Sequence, residues 1–144
     1  MPAVNPGPGS SLSTNPQGLL NNNAIQLLFI MRAANMQLTS DQTFAKLFNG
    51  TLWDPFFVIA NRLSGAFSSA CAGGIYTAPA KGGTAIVAAA QSFSTLTGEN
   101  TQTICTVLAT TTTFSGTPIL SLTTGNAAGL LADIYIYGAC YDQS

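Results

Sequence analysis

Histidine is absent from the 144 residues, and charge nearly so: four Lys/Arg and five Asp/Glu amount to 6% of the chain. Without an imidazole, Ser-His-Asp and Cys-His nucleophile arrangements are excluded, and G-x-S-x-G does not occur. No His can complete a zinc set with Cys71, Cys105 and Cys140, which are widely spaced and form no C-x-x-C pair, so no metal and no cofactor is expected. The three cysteines read as small buried hydrophobes, the usual state of free thiols; a disulfide would leave one of them unpaired. Arg32, Lys46, Arg62 and Lys81 stand singly and cannot track a phosphate backbone, which argues against nucleic acid as a partner. The block LLFIM at 27–31 is far short of the roughly 18–20 apolar residues of a membrane span, and the N-terminus lacks the basic region of a secretory signal. Synthesis in a cytoplasm, with no membrane partner, is the expectation.

What the chain does have is apolar and small. Hydrophobic residues make up 47% and the net charge is −1, whereas an ordinary soluble domain carries about 25% charged residues. Such a surface has little colloidal repulsion, so permanent assembly explains it better than free diffusion. The length suits one domain with a single core that folds without staples.

Residues 1–23 contain no charged side chain, four prolines, three glycines and five asparagines. Proline fixes φ and removes a donor, and Gly and Asn favour turns, so this segment reads as an extended N-terminal arm. Val4, Leu12, Leu19 and Leu20 are spaced along it as candidate anchors on a partner's surface. From 24 to 144 the pattern is strand and turn, with candidate strands at 25–32, 43–48, 56–63, 74–77, 85–92, 101–109, 118–123 and 132–141. Side chains alternate across a strand, so ADIYIYGACY puts Ile134 and Ile136 on one face and Tyr135 and Tyr137 on the other. TQTICTVLA likewise separates Ile104, Thr106 and Leu108 from Cys105 and Val107. Eight short, turn-bounded strands predict an all-β antiparallel sandwich of jelly-roll type, with Ile134, Ile136, Ile104 and Leu108 in its core. AIVAAAQSF, at 85–93, would also suit a short helix.

The stretch GGIYTAPAKGG, at 73–83, reads as strand, turn and strand, since glycine pairs permit the positive φ of tight hairpins. It is not a phosphate loop, because its Gly-Gly follows Lys81 and G-x-x-x-x-G-K-[ST] is absent. Asp41 and Glu99 sit in turn-like sequence, TSDQT and TGENT, where capping accounts for them, and Asp133 is expected to pair with a basic residue. LWDPFF, at 52–57, gathers Trp53, Phe56 and Phe57 around a proline turn. Clustered aromatics of this kind fill cores, make subunit contacts or stack on sugars, and Trp53 and Phe56 are the candidate partner-binding residues. The sequon at Asn49-Gly50-Thr51 matters only on a secretory route.

GGIYTAPAKGGTAIVAAAQSFSTLT together with LSLTTGNAAGLLADIYIYG, covering 73–138, resembles small β-rich structural proteins of tailed bacteriophages and prophages. The likeness lies in glycine-flanked strands, Ala/Thr/Ser-rich faces and a closing strand of alternating aliphatic and aromatic residues. It implies a virion component, foremost a capsid decoration or cement protein on the capsid surface, bound to the major capsid protein or other virion proteins and made in the host cytoplasm. It implies no enzyme. A closed homo-oligomer, with a trimer as the first expectation, follows from the threefold positions of capsid lattices. The alternative is a head-fibre, tail or receptor-binding module that contacts host glycan.

Overall fold

The structure, a computed structural model, describes residues 25–108 and 112–141. Within them there is no helix, and ten strands form two antiparallel sheets: β1 (Gln26–Asn35), β2 (Gln42–Thr43), β3 (Ala45–Lys46), β4 (Leu52–Ser64), β5 (Ala72–Ala78), β6 (Gly82–Ser92), β7 (Gln102–Cys105), β8 (Phe114–Ser115), β9 (Ile119–Thr124) and β10 (Leu131–Tyr141). One sheet runs β3-β1-β10-β4-β7, with β8 also on β4, and the other runs β2-β9-β5-β6. The pairings are nested: β1 with β10, β2 with β9, β4 with β7 and β5 with β6, all antiparallel. The chain therefore behaves like a long ribbon doubled back on itself, whose two halves pair along their length. The arm expected at 1–23, with Val4, Leu12, Leu19 and Leu20, lies outside the described residues.

Residues of both sheets form one hydrophobic core, with Phe29, Val58, Ile134 and Ile136 from the first and Ile75, Ile86, Leu120 and Leu122 from the second. Ile134 and Ile136 are fully buried, as the alternation of β10 requires. Ile104 and Leu108, expected beside them, are instead 67% and 56% exposed. The alternation of β7 holds, but its inward side is Thr103 and Cys105. Cys71, Cys105 and Cys140 are all buried, and none of them is in a disulfide.

Several elements differ from expectation for definable reasons. The segment 43–48 is not one strand: β2 pairs with β9 in one sheet and β3 with β1 in the other. Buried Phe44 anchors the crossing between them. LWDPFF makes no proline turn; β4 runs straight through it. On one side β4 pairs β8 at Leu52 and Trp53 and β7 from Val58 to Asn61, so Pro55 falls in the gap between these partners, where a ladder N–H is not required. Opposite β10 the register skips Phe56, the extra residue of a bulge. AIVAAAQSF is strand, most of it in β6, because it pairs with β5 at the sheet edge.

Of the two glycine pairs, only the second makes the hairpin. Gly83 has φ +67° just after the turn, beside Ala80 and Lys81 at φ 56° and 59°. Gly73 and Gly74 lie inside β5, where a Cβ on Gly73 would stand 2.5 Å from the Leu122 Cα and one on Gly74 2.6 Å from the Val87 carbonyl oxygen. Their role there is close approach of neighbouring backbone.

Candidate functional site

Because the inward residues of the six-stranded sheet fill the core, the alternate residues form its outer face, and these are largely apolar. The pairings Ile104↔Ile59, Ile59↔Tyr135 and Tyr135↔Ile30 line up one row across four strands. A second row, Phe57↔Tyr137 and Tyr137↔Leu27, lies beside it. The Phe57 and Tyr137 rings stack with centroids 4.8 Å apart and planes 19° from parallel. Ile104 is exposed, and the other members of both rows are half-buried. Cross-strand pairs of this type stabilise the sheet, and a contiguous apolar patch of this type is also the usual chemistry of an interface centre.

The rows end at a polar rim. Between Met31 and Ala34 the register of β1 slips against β10, so that Arg32 and Ala33 both oppose Asp133. Ala33 takes φ 50°, a left-handed conformation that alanine rarely adopts. Asp133 holds the bulge: its Oδ1 accepts the Ala33 N–H at 2.8 Å and its Oδ2 accepts Arg32 Nη1 at 2.8 Å. Burial alone would raise the Asp133 pKa, but the Ala33 amide and the Arg32 guanidinium outweigh it and hold the carboxyl below the ordinary range. The same bond to Asp133 raises the Arg32 pKa. Arg32 Nη1 also donates to the Tyr135 hydroxyl at 3.1 Å, and the guanidinium lies 5.6 Å from that ring's centroid. Burial and the neighbouring carboxylate push the Tyr135 phenol up. The basic partner expected for Asp133 is thus Arg32.

The other candidates disperse. Trp53, expected to meet a partner, is 1% exposed. Its ring packs edge-on against Phe29, centroids 4.7 Å apart, and its Nε1 donates to the Gly116 carbonyl at 3.0 Å. It is a core residue, because the bulge at Phe56 sets Trp53 on the inward side with Val58. Phe56 is half-buried at that bulge and does not join Trp53 in a common platform. Asp41 caps the hairpin turn by accepting the Ala80 N–H at 2.7 Å, a bond that lowers its pKa. Glu99 is exposed in a turn. Among the described residues no group of three His, Cys, Asp or Glu is placed to hold a metal ion, and no helix is long and apolar enough to cross a membrane. Burial pushes the Cys105 thiol up to about 12, so it is not a ready nucleophile. The arrangement is suited to binding by surface complementarity.

Comparison with family models, curated proteins and solved structures finds no match for this chain. The alternating aliphatic and aromatic faces of IYIY already imply that both sides of this strand are at least partly covered, but the rows themselves form only when the register brings residues scattered through the sequence together.

Proposed function

We propose that this protein is a structural component of a virion, a decoration or cement protein that binds a capsid lattice through its β-sandwich body and its N-terminal arm. The observation that carries the reading is the pair of apolar rows on the outer face of the six-stranded sheet, in a chain with only 6% charged residues. A face of that kind calls for a protein surface to cover it. The strand order supports a jelly roll within the sandwich. Counted without β3 and β8 and keeping β2, itself only two residues long, eight strands lie in the orders first-eighth-third-sixth and second-seventh-fourth-fifth, the order of a doubled ribbon wound into two Greek keys. Viral capsid domains are prominent among proteins of that architecture, an association of fold and not of site. Self-association into a closed trimer would cover part of the apolar face in each copy, with the major capsid protein covering the remainder.

The experiment is a copy count by quantitative mass spectrometry on purified particles of the virus that encodes the chain. A copy number comparable to that of the major capsid protein supports decoration. A handful of copies would move the protein to a fibre or tail position, and its absence from particles would end the proposal.

A further inference from the structure

Beside the polar rim, the ends of β4, β7 and β10 and the turn at 98–101 enclose a cleft of about 330 Å³. It shares Arg62 and Asn100 with a second hollow of about 360 Å³. These volumes fall at the lower end of the range for small-ligand sites, roughly 300–1,000 Å³. The register assembles the lining: Asn61 pairs with Gln102 on one side and Asp133 on the other, and Tyr135 follows Asp133 by two residues on the same face. Asn100 enters from the turn at φ 58°, a conformation that asparagine tolerates. That turn is tied down, since the Thr101 hydroxyl donates to the Gly98 carbonyl at 2.6 Å and Arg62 N–H donates to the Thr101 carbonyl at 2.9 Å.

The chemistry of the lining is specific. Three carboxamides, Asn61, Asn100 and Gln102, each offer a donor pair and an acceptor. The Asn61 Oδ1 is buried and has no hydrogen-bond partner in the bare chain. An orphaned acceptor of this kind is unfavourable, and a turn of the Asn61 side chain toward the cleft would let a ligand donor meet it. Arg32 is paired with Asp133, whereas Arg62 donates through Nε and Nη2 to the Gly65 carbonyl, a neutral partner, and keeps its charge at the cleft. Glu99 lines the adjoining hollow with it. Next to the amides stand the Tyr135 ring and the apolar row of Ile59 and Ile104. The complementary ligand has a row of hydroxyls along one edge, which the amides and Arg62 can meet, and an apolar C–H face.

We propose that this cleft binds a hexopyranose, the amides meeting its vicinal hydroxyls and Tyr135 its ring face. The sugar site lies away from LWDPFF, where buried Trp53 is unavailable. It does not depend on the virion reading, although on a particle surface it would hold the particle against glycan-coated surfaces. The test is two-dimensional NMR titration of the ¹⁵N-labelled full chain with methyl glycosides of glucose, galactose, mannose and N-acetylglucosamine, and separately with inorganic phosphate. At least one glycoside should give saturable shifts confined to the side-chain amides of Asn61, Asn100 and Gln102 and the neighbouring backbone, with half-saturation at about millimolar concentration. Gln102→Ala, at an exposed position, should weaken binding about tenfold, the factor expected for one lost hydrogen bond, while leaving the spectrum of the core unchanged. Asn61→Ala should weaken it similarly. Absence of saturable shifts with all four glycosides, shifts elsewhere, shifts with phosphate alone, or unchanged binding by a folded Gln102→Ala protein would each overturn the assignment.

Discussion

Replacing Asp133 by alanine should destabilise the protein by about 2–4 kcal/mol, almost all of it through a backbone amide. The Ala33 N–H, 2.8 Å from Oδ1, is held at φ 50° in the bulge of β1 and loses its partner in the variant. A hydrogen bond to a charged acceptor contributes about 1.5–3 kcal/mol. The second partner, Arg32, has a side chain 67% exposed, and an ion pair that open to solvent is screened and contributes little. Three variants therefore rank in order. Asp133→Ala loses most, Asp133→Asn keeps an acceptor for Ala33 and loses about 1 kcal/mol, and Arg32→Ala loses least. Urea unfolding at unchanged m gives the differences directly, and at this chain length each kcal/mol should also move Tm by ~3–5 °C. The pH dependence is a second readout. The folded pKa of Asp133 is lowered, so its stabilisation is complete above the unfolded value of about 3.9 and disappears as pH falls through the folded value. Asp133→Asn cannot titrate, and its deficit relative to the natural protein should close over that same acid window. If Arg32→Ala costs as much as Asp133→Ala, the ion pair and not the bulge amide is what Asp133 supports, and the reasoning fails.

Ile136→Ala should cost about 2–5 kcal/mol, whereas Ile104→Ala, on the outer face, should change stability by no more than about 0.5 kcal/mol; equal losses in chemical denaturation would reverse the facing of β7. Asn126 is buried and ties two loops, accepting Ser68 and Ser69 N–H at 3.0 and 3.2 Å and donating to the Ala66 carbonyl at 2.8 Å, so Asn126→Ala should lower Tm well beyond any substitution at exposed Gln37. Tyr137→Lys should leave the fold intact but shift the light-scattering mass toward monomer and reduce incorporation into particles; an unchanged mass and unchanged incorporation would remove the outer face from the interface. Deletion of residues 2–20 should leave the thermal midpoint nearly unchanged and sharply reduce incorporation, and full decoration by the truncated chain would make the arm a passive tail.

Most of the strands were legible as short apolar runs bounded by turn residues, and alternation is plainest in β10, whereas the alanines of β6 leave its type open until it pairs with β5. The facing of β7 was not legible. Hydropathy places Ile104 inside and Thr103 outside, yet buried Thr103 is acceptable because its hydroxyl meets that of Thr95, satisfying a polar group that composition alone would keep in water. Pro55 suggests a turn from sequence because a sequence does not reveal that its strand has a stretch on one side where no ladder N–H is required. The two-residue strand β8 gives too short a pattern to register, and the split at Phe44 depends on which sheet each half finds. At the cleft, Asn61, Asn100 and Gln102 look like unrelated polar residues until the pairing of β4 with β7 brings them together. Asp133 was readable as half of an ion pair, but its grip on a backbone amide in β1 follows from a register slip that only the folded sheet displays.

The doubled-ribbon pairing has a consequence for how the chain comes off the ribosome. β10 is the last described strand, and it lies between β1 and β4 in the larger sheet. Until it arrives, β1 has only the two-residue β3 beside it, and the long strand β4 has only β7 and β8. The apolar faces of β1 and β4 therefore wait for synthesis to pass residue 141 before they can close. Loop-closure entropy between β1 and β10 must be met in one step, so folding should be slow and should complete only after residue 141 has emerged. During that wait the nascent chain exposes unpaired strand edges of low charge, which makes the interval before closure, more than the folded state, the stage at which mispairing between neighbouring copies must be avoided.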